Sequence, residues 1–232
     1  LQRRCGGKGG CGGKPGWLLM TNEGSQLIAT VSAALDRNYH GVRLGVAVSG
    51  GGDSVALLHI IAEWSQRRGV RVHVATVNHG LRDESAVEVA GVQALAKRLG
   101  MSCDVLKWDN WDGQGNLQSE ARNARRRLLT KWAARRGVSG VALGHTMDDQ
   151  AETVLMRLGR GAGVYGLVAI GMRRSSDGMV WLRPMLGVRR EALRIWLRER
   201  GEAWVDDPSN DDLKYERVKA RRALETLGEL GV

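Results

Sequence analysis

Six consecutive residues, Ser49-Gly50-Gly51-Gly52-Asp53-Ser54, combine three glycines, two hydroxyls and a carboxylate. Glycines let a backbone approach a phosphate closely. A helix starting directly behind them adds free N–H groups and the positive end of its dipole. With Ser49 and Ser54 as further donors, the set reads as a phosphate cradle. It is not a Walker A loop, which ends in Gly-Lys-Ser/Thr, nor a dinucleotide fingerprint. An acid among phosphates is repulsive unless a cation lies between, so Asp53 is expected to hold Mg²⁺. The alternative is a helix N-cap, where Asp is common.

A second cluster, Gly144-His145-Thr146-Met147-Asp148-Asp149-Gln150-Ala151-Glu152-Thr153, carries three acids and a histidine. Helical spacing puts Asp148 and Glu152 on one face and His145 beside Asp149. That suits a cation, either Mg²⁺ or an amine, although acids in a first turn also simply favour the helix dipole. Arg122 and Arg125 stand three apart on a predicted helix. They would offset charge building on phosphates, or else only form a solvated basic face. His79 follows a predicted strand towards the same sheet edge. Asp207-Pro208-Ser209-Asn210 has the composition of a turn.

The elements that must position these groups alternate. Strands are predicted at 43–48, 71–77, 102–107 and 138–143. Helices are predicted from Ser54 to Ser65, from Ser85 to a stop at Gly100, from Leu117 to Gly137, and from Thr146 to Leu158. A last helix runs from Arg189 to Arg200. This order implies an α/β, Rossmann-like parallel sheet with helices on both faces. The glycine loop then lies at a strand-to-helix turn, where such sheets bind ligands.

The net charge is +10, with four cations and no acid in residues 1–20. Further excess lies at 122–136 and 173–200, which suits a polyanionic partner or a solvated basic surface. Three cysteines make no disulfide framework, and Cys5 and Cys11 lack partners for zinc; Cys103 is expected in the core. No apolar run approaches the roughly 20 residues that cross a bilayer, and no signal-peptide pattern opens the chain, so a cytoplasmic location is expected. The first 19 residues are glycine-rich and basic and are expected to be extraneous or upstream-translated sequence.

The SGGGDS loop resembles that of the PP-loop ATP pyrophosphatases, which hold the β,γ-pyrophosphate and release AMP and pyrophosphate. Further along stand Val77-Asn78-His79-Gly80-Leu81-Arg82, then Glu120-Ala121-Arg122 with Arg125, then GHTMDDQAET. Arg157-Leu158 with Arg160-Gly161-Ala162-Gly163 and finally Asp207-Pro208-Ser209-Asn210 complete the series. In that order the motifs resemble the catalytic domain of the tRNA(Ile)-lysidine synthetases, over about residues 25–225. The resemblance implies ATP and Mg²⁺ as cofactors, and isoleucine tRNA with a CAU anticodon and free L-lysine as partners. It also implies adenylation of the wobble cytidine's C2 oxygen, followed by displacement of AMP by the lysine ε-amine.

By the same resemblance, residues 49–54 and His79 bind ATP, and Asp53, Arg122, Arg125, His145, Asp148, Asp149 and Glu152 serve catalysis. Asp207, Asn210, Arg217 and Arg221 contact tRNA or lysine. The implied organisation is a tail at 1–24, a catalytic domain at 25–212, and a helical segment at 213–232 that begins a linker. Two departures stand out: an R-N-x-I-R stretch of the family reads Arg217-Val218-Lys219-Ala220-Arg221 here, and Arg126 replaces the usual aromatic after Arg125. Longer family members carry tRNA-gripping C-terminal domains that do not follow here, so this chain is expected to be a short member or the catalytic part alone. Other PP-loop activators are the competing expectation, tRNA thiolases or amide-forming synthetases, but no Cys-x-x-Cys pair is present. A nucleotide-binding regulatory module is the third; it would not need the acids.

Overall fold

The computed structural model describes residues 22–80, 85–108, 117–206, 214 and 216–230. Helix α1 (Asn22–Asn38) precedes strand β1 (Arg43–Ala47), helix α2 (Gly52–Arg68) and strand β2 (Arg71–Asn78). Helix α3 (Ser85–Arg98), strand β3 (Ser102–Lys107), helix α4 (Leu117–Arg136), strand β4 (Gly140–Leu143) and helix α5 (Met147–Gly159) follow. A 3-10 turn (Val164–Leu167) leads to strands β5 (Arg173–Ser176) and β6 (Met179–Leu182), then helices α6 (Arg190–Glu199) and α7 (Glu216–Glu229). The four predicted strands and the five predicted helices are all present. Helix α1 already begins inside the segment expected to be a tail.

The sheet order is β3-β2-β1-β4-β6-β5. All neighbours pair in parallel except β5, which runs antiparallel to β6 at the edge. Asp177 and Gly178 both take positive φ (57° and 70°) in the turn joining them, the geometry that tight hairpins require. Order reverses between β1 and β4, so a crevice opens beyond their carboxyl ends.

Period-two alternation in β1 feeds two cores. Leu44 and Val46 join a cluster built with Val31 and Leu35 of α1, Leu57 and Leu58 of α2, and Leu193 and Leu197 of α6. Ala47 faces the other way, towards Leu129, Trp132 and Ala133 of α4. Each fully buried Leu contributes about 2 kcal/mol of transfer free energy. Gly45 leaves space for the Trp132 ring: a Cβ there would lie 2.8 Å from it. Helices therefore cover both faces. Cys103 lies in β3, half-buried against the first core, and burial pushes its thiol up to about 11. It is inert packing.

Candidate active site

Beyond the carboxyl ends of β1, β2 and β4 lies a cavity of about 730 Å³. Its apolar floor includes Ala47, Ala75, Val77, Leu143 and Trp181, and the glycine loop and several arginines form its walls.

The loop is built by its own hydroxyls. Ser54 Oγ donates to Gly51 O at 2.9 Å and accepts from Ser49 N at 3.1 Å. Gly51 is the N-cap of α2, so Asp53 lies in the first turn and is not the cap. Gly50 has φ of 93°, a conformation glycine adopts without strain. Val205 N donates to Gly50 O at 3.0 Å, and the Trp204 ring stands where a Cβ on Gly52 would meet it at 3.3 Å. Behind the loop, a Cβ on Gly144 would lie 3.1 Å from the backbone of Ser54. That glycine lets the end of β4 press against α2.

Beside the loop the acids meet three arginines. Arg190 Nε donates to Asp53 Oδ2 at 3.0 Å, and its Nη atoms stand 3.4 Å from Asp149 and 3.3 Å from Glu152. Arg217 reaches Glu152 at 2.7 Å and Asp149 at 3.1 Å; Arg221 reaches Glu152 at 3.0 Å. Glu152 is 1% exposed, so only this pairing makes its charge tolerable. Asp149 also accepts from Thr146 N at 2.7 Å and Thr146 Oγ1 at 3.0 Å, closing a capping box at the start of α5. Burial opposes its ionisation, but Thr146 N–H, Arg217 and Arg190 together hold its pKa below the usual carboxylate range. Asp148 Oδ2 accepts from Arg190 N at 2.7 Å, capping α6 from a neighbouring helix. Gln150 pairs both ways with the backbone of Ile170, at 2.9 and 2.6 Å. Nearly every polar residue of the GHTMDDQAET motif thus holds something in place.

Asp53 has one free oxygen. Its Oδ1 is buried without a hydrogen-bond partner, and burial raises its pKa against the pull of Arg190. Among the described residues no three His, Cys, Asp or Glu side chains form a metal-binding group. Mg²⁺ commonly takes one or two carboxylates together with substrate phosphates, so a single unpartnered carboxylate oxygen beside a phosphate loop fits it.

Burial pushes His145 down to about 4; Asp149 opposes this, while Arg183, Arg217 and Arg125 add to it. Burial and Arg125 likewise lower His79, which packs edge-on to Trp108 at 5.6 Å. Both are neutral near pH 7. Each has a buried Nδ1 with no partner, as do Trp181 Nε1 and Arg183 Nε. All four residues line the cavity. Unbonded buried polar atoms concentrated in one crevice mark a ligand site.

Of the residues expected at the site, Ser49, Gly51, Gly52, Asp53, Ser54 and His79 line the cavity, and so do Arg122, Arg125, His145, Asp149, Arg217 and Arg221. Gly50, Asp148 and Glu152 support it from behind. Asp207 and Asn210 lie outside the described residues. Arg174, Arg183 and Arg190 line it as well and have no signal in the sequence beyond belonging to a basic stretch.

A profile of the PP-loop domain matches residues 25–227. A tRNA(Ile)-lysidine synthase of Ruegeria pomeroyi is 58% identical over 82% of this chain and 45% of its own length. One from Hyphomonas neptunium is 46% identical over 78% of the chain and 50% of its own. The chain therefore spans about half the length of these curated relatives. Among solved structures, the U34-tRNA thiolase of Methanococcus maripaludis superposes with a TM-score of 0.75 at 15% identity, over 88% of this chain and 72% of that one. The NMN synthetase of Francisella tularensis gives 0.54 at 11%, over 88% and 85%. These likenesses show the fold alone.

Proposed function

The chain belongs to the PP-loop family, and from that premise we propose that it ligates free L-lysine to C2 of the wobble cytidine of isoleucine tRNA with a CAU anticodon. The observation that carries this reading is the meeting of the glycine loop with Asp53 and Asp149 in one crevice, both joined through Arg190 to the buried Glu152 behind it. The names of relatives covering most of this chain support the substrate.

The cytidine C2 oxygen attacks the α-phosphorus of ATP and pyrophosphate leaves, giving an adenylated tRNA. The lysine ε-amine, after losing a proton, then attacks C2. AMP departs with the oxygen, leaving a C–N bond. Adenylylation matters because a carbonyl oxygen is otherwise a poor leaving group.

The SGGGDS backbone and hydroxyls hold the β,γ-phosphates, and His79 borders the adenosine. Arg122 and Arg125 offset charge at the phosphates. Asp53 Oδ1 would hold Mg²⁺, which would supply positive charge beside the pyrophosphate leaving group. Asp149 at the cavity wall meets the lysine ammonium, while Asp148 and Glu152 behind it hold Arg190, Arg217 and Arg221 in place. Neutral His145 is an acceptor for a proton near Asp149. Arg217 and Arg221 meet these acids where lysine arrives, and Asp207 and Asn210 complete the tRNA or lysine contacts. Among the described residues no helix is long and apolar enough to cross a membrane.

The test combines the chain with α-labelled ATP, labelled lysine and the CAU-anticodon tRNA. AMP and tRNA-bound lysine appearing together, both tRNA-dependent, support the reading. AMP formation with free lysine leaves the loop chemistry standing and removes the substrate. Sulfur transfer or amide formation in place of lysine attachment would assign the chain to another PP-loop activity.

A further inference from the structure

We propose that Arg174 and Arg183, adjoining Arg122 where the ATP-phosphate side of the cavity ends, form a clamp for phosphodiester groups of the RNA strand carrying the reacting base, distinct from the loop that takes the ATP phosphates. The proposal rests on the nucleic-acid reading above.

Apart from Arg125, which serves the ATP phosphates, the arginines lining the cavity fall into two sets. Those near the acids are paired: Arg190 with Asp53, Arg217 and Arg221 with Glu152, Arg194 with Asp206. Among the described residues, Arg122 and Arg174 have no acidic partner, and Arg183 bonds the carbonyl of Gly171 at 3.0 Å. The buried Nε of Arg183 is unbonded. These three guanidiniums come from α4, β5 and the residue after β6. Burial and the nearby Arg174, Arg122 and Arg126 all disfavour charge on Arg183. Like charges crowded without counter-ions destabilise a fold unless an anion completes them.

The hairpin is held where the clamp needs it. Arg126 donates to Asp177 at 2.6 Å and to Ser176 at 2.7 Å, tying the β5–β6 turn to α4. Alternation along β5 then puts Arg174 and Ser176 on the cavity side, while Arg173 lines a separate cavity.

The exposure of the set favours a strand over a small ligand. Arg122 and Arg174 are exposed at the cavity edge and Arg183 is half-buried within it. A polyanion entering from solvent meets them in that order. The ATP phosphates have their own cradle and Asp53. Guanidinium forks match phosphate oxygens in pairs and carry no base preference.

The experiment measures binding of a short RNA stem-loop with a CAU anticodon, between about 0.05 and 0.2 M salt, to the chain and to Arg174→Gln, Arg183→Gln and Arg174→Lys. Losing one phosphate contact should weaken binding about five- to eightfold at about 0.1 M salt and flatten the log–log salt slope by about 0.7 to 0.9. Arg174→Lys should recover most of that slope. A stem-loop with uridine in place of the reacting cytidine should show the same losses. Arg174 is exposed, so its variant keeps the test open if Arg183→Gln fails to fold. Unchanged RNA affinity and slope in the variants overturn the clamp while leaving the ligase reading intact. A loss confined to ATP affinity, measured without RNA, assigns the wall to ATP and also overturns it. Arginine-dependent RNA binding without lysine attachment supports the clamp and removes the ligase reading. No RNA binding by the unsubstituted chain removes both.

Discussion

Arg190, the first residue of α6, donates through Nε to Asp53 Oδ2 in the glycine loop at 3.0 Å. One guanidinium thereby links the phosphate cradle to Asp149 and Glu152 on α5. It fixes one oxygen of Asp53 and leaves Oδ1 free.

Replacing Arg190 with Gln removes the one cation bonded to Asp53 among the described residues. Breaking such a buried network should cost about 3 kcal/mol, read as a lower urea midpoint at pH 7. AMP formation by the folded variant should need more Mg²⁺, because Asp53 is no longer held in place. An unchanged midpoint with an unchanged Mg²⁺ requirement would sink the positioning role.

Glu152→Gln should also destabilise by about 3 kcal/mol, since Arg190, Arg217 and Arg221 lose a shared counter-ion. Arg217 and Arg221 lie on α7, so that helix should detach first. Limited proteolysis followed by mass spectrometry would show earlier cleavage within Glu216–Glu229. Uniform cleavage elsewhere would show that Glu152 does not anchor α7.

Gly144→Ala puts a methyl 3.1 Å from the Ser54 backbone and 3.2 Å from Asp53. Displacing the glycine loop should cost about 1–3 kcal/mol and weaken ATP binding about tenfold. Gly91→Ala is the contrast. It lies within α3 with nothing within 4 Å of its new Cβ, so helix propensity should stabilise it by about 0.5–1 kcal/mol. Calorimetric ATP titration and denaturant melts of both variants check the pair.

His145 supplies a pH dependence with a definite sign. Its pKa falls from an unfolded 6.5 to about 4, so between those values the unfolded chain binds the extra proton. The His145 contribution to stability therefore falls as pH drops from 7 towards 4 and levels off below, where Asp149, held below its usual pKa, continues the loss. Asp53, whose pKa is raised, acts in the opposite direction, and its protonation partly offsets the loss. The histidine contribution is on the order of 2 kcal/mol at pH 5. His145→Gln should flatten the urea midpoint between pH 7 and 5; an equally steep variant would place the acid sensitivity elsewhere.

Much of the site was legible because its signals are local. The glycine loop between a strand and a helix needs only adjacent residues, and the acids at the start of α5 follow helical spacing. Helix α1 also carries a readable period, with Leu27, Val31 and Leu35 buried on one side. Strand β5, Arg173–Ser176, is different: it has no apolar residue, so no alternation marks it. The Asp177-Gly178 pair is the one local sign of that hairpin.

The alternating strands and helices, the phosphate loop and the family are readable from the order of residues alone, because each depends on short-range spacing and residue chemistry. Which charges pair is set by the three-dimensional packing. Arg190 is 137 residues from Asp53, and Arg221 is 69 from Glu152. Nothing in the spacing of an arginine says which acid it will meet, since Coulomb attraction follows distance in space and burial sets its strength. Only the packing of α5, α6 and α7 separates the arginines that neutralise acids from Arg122, Arg125, Arg174 and Arg183, which line the cavity with no acid paired to them among the described residues.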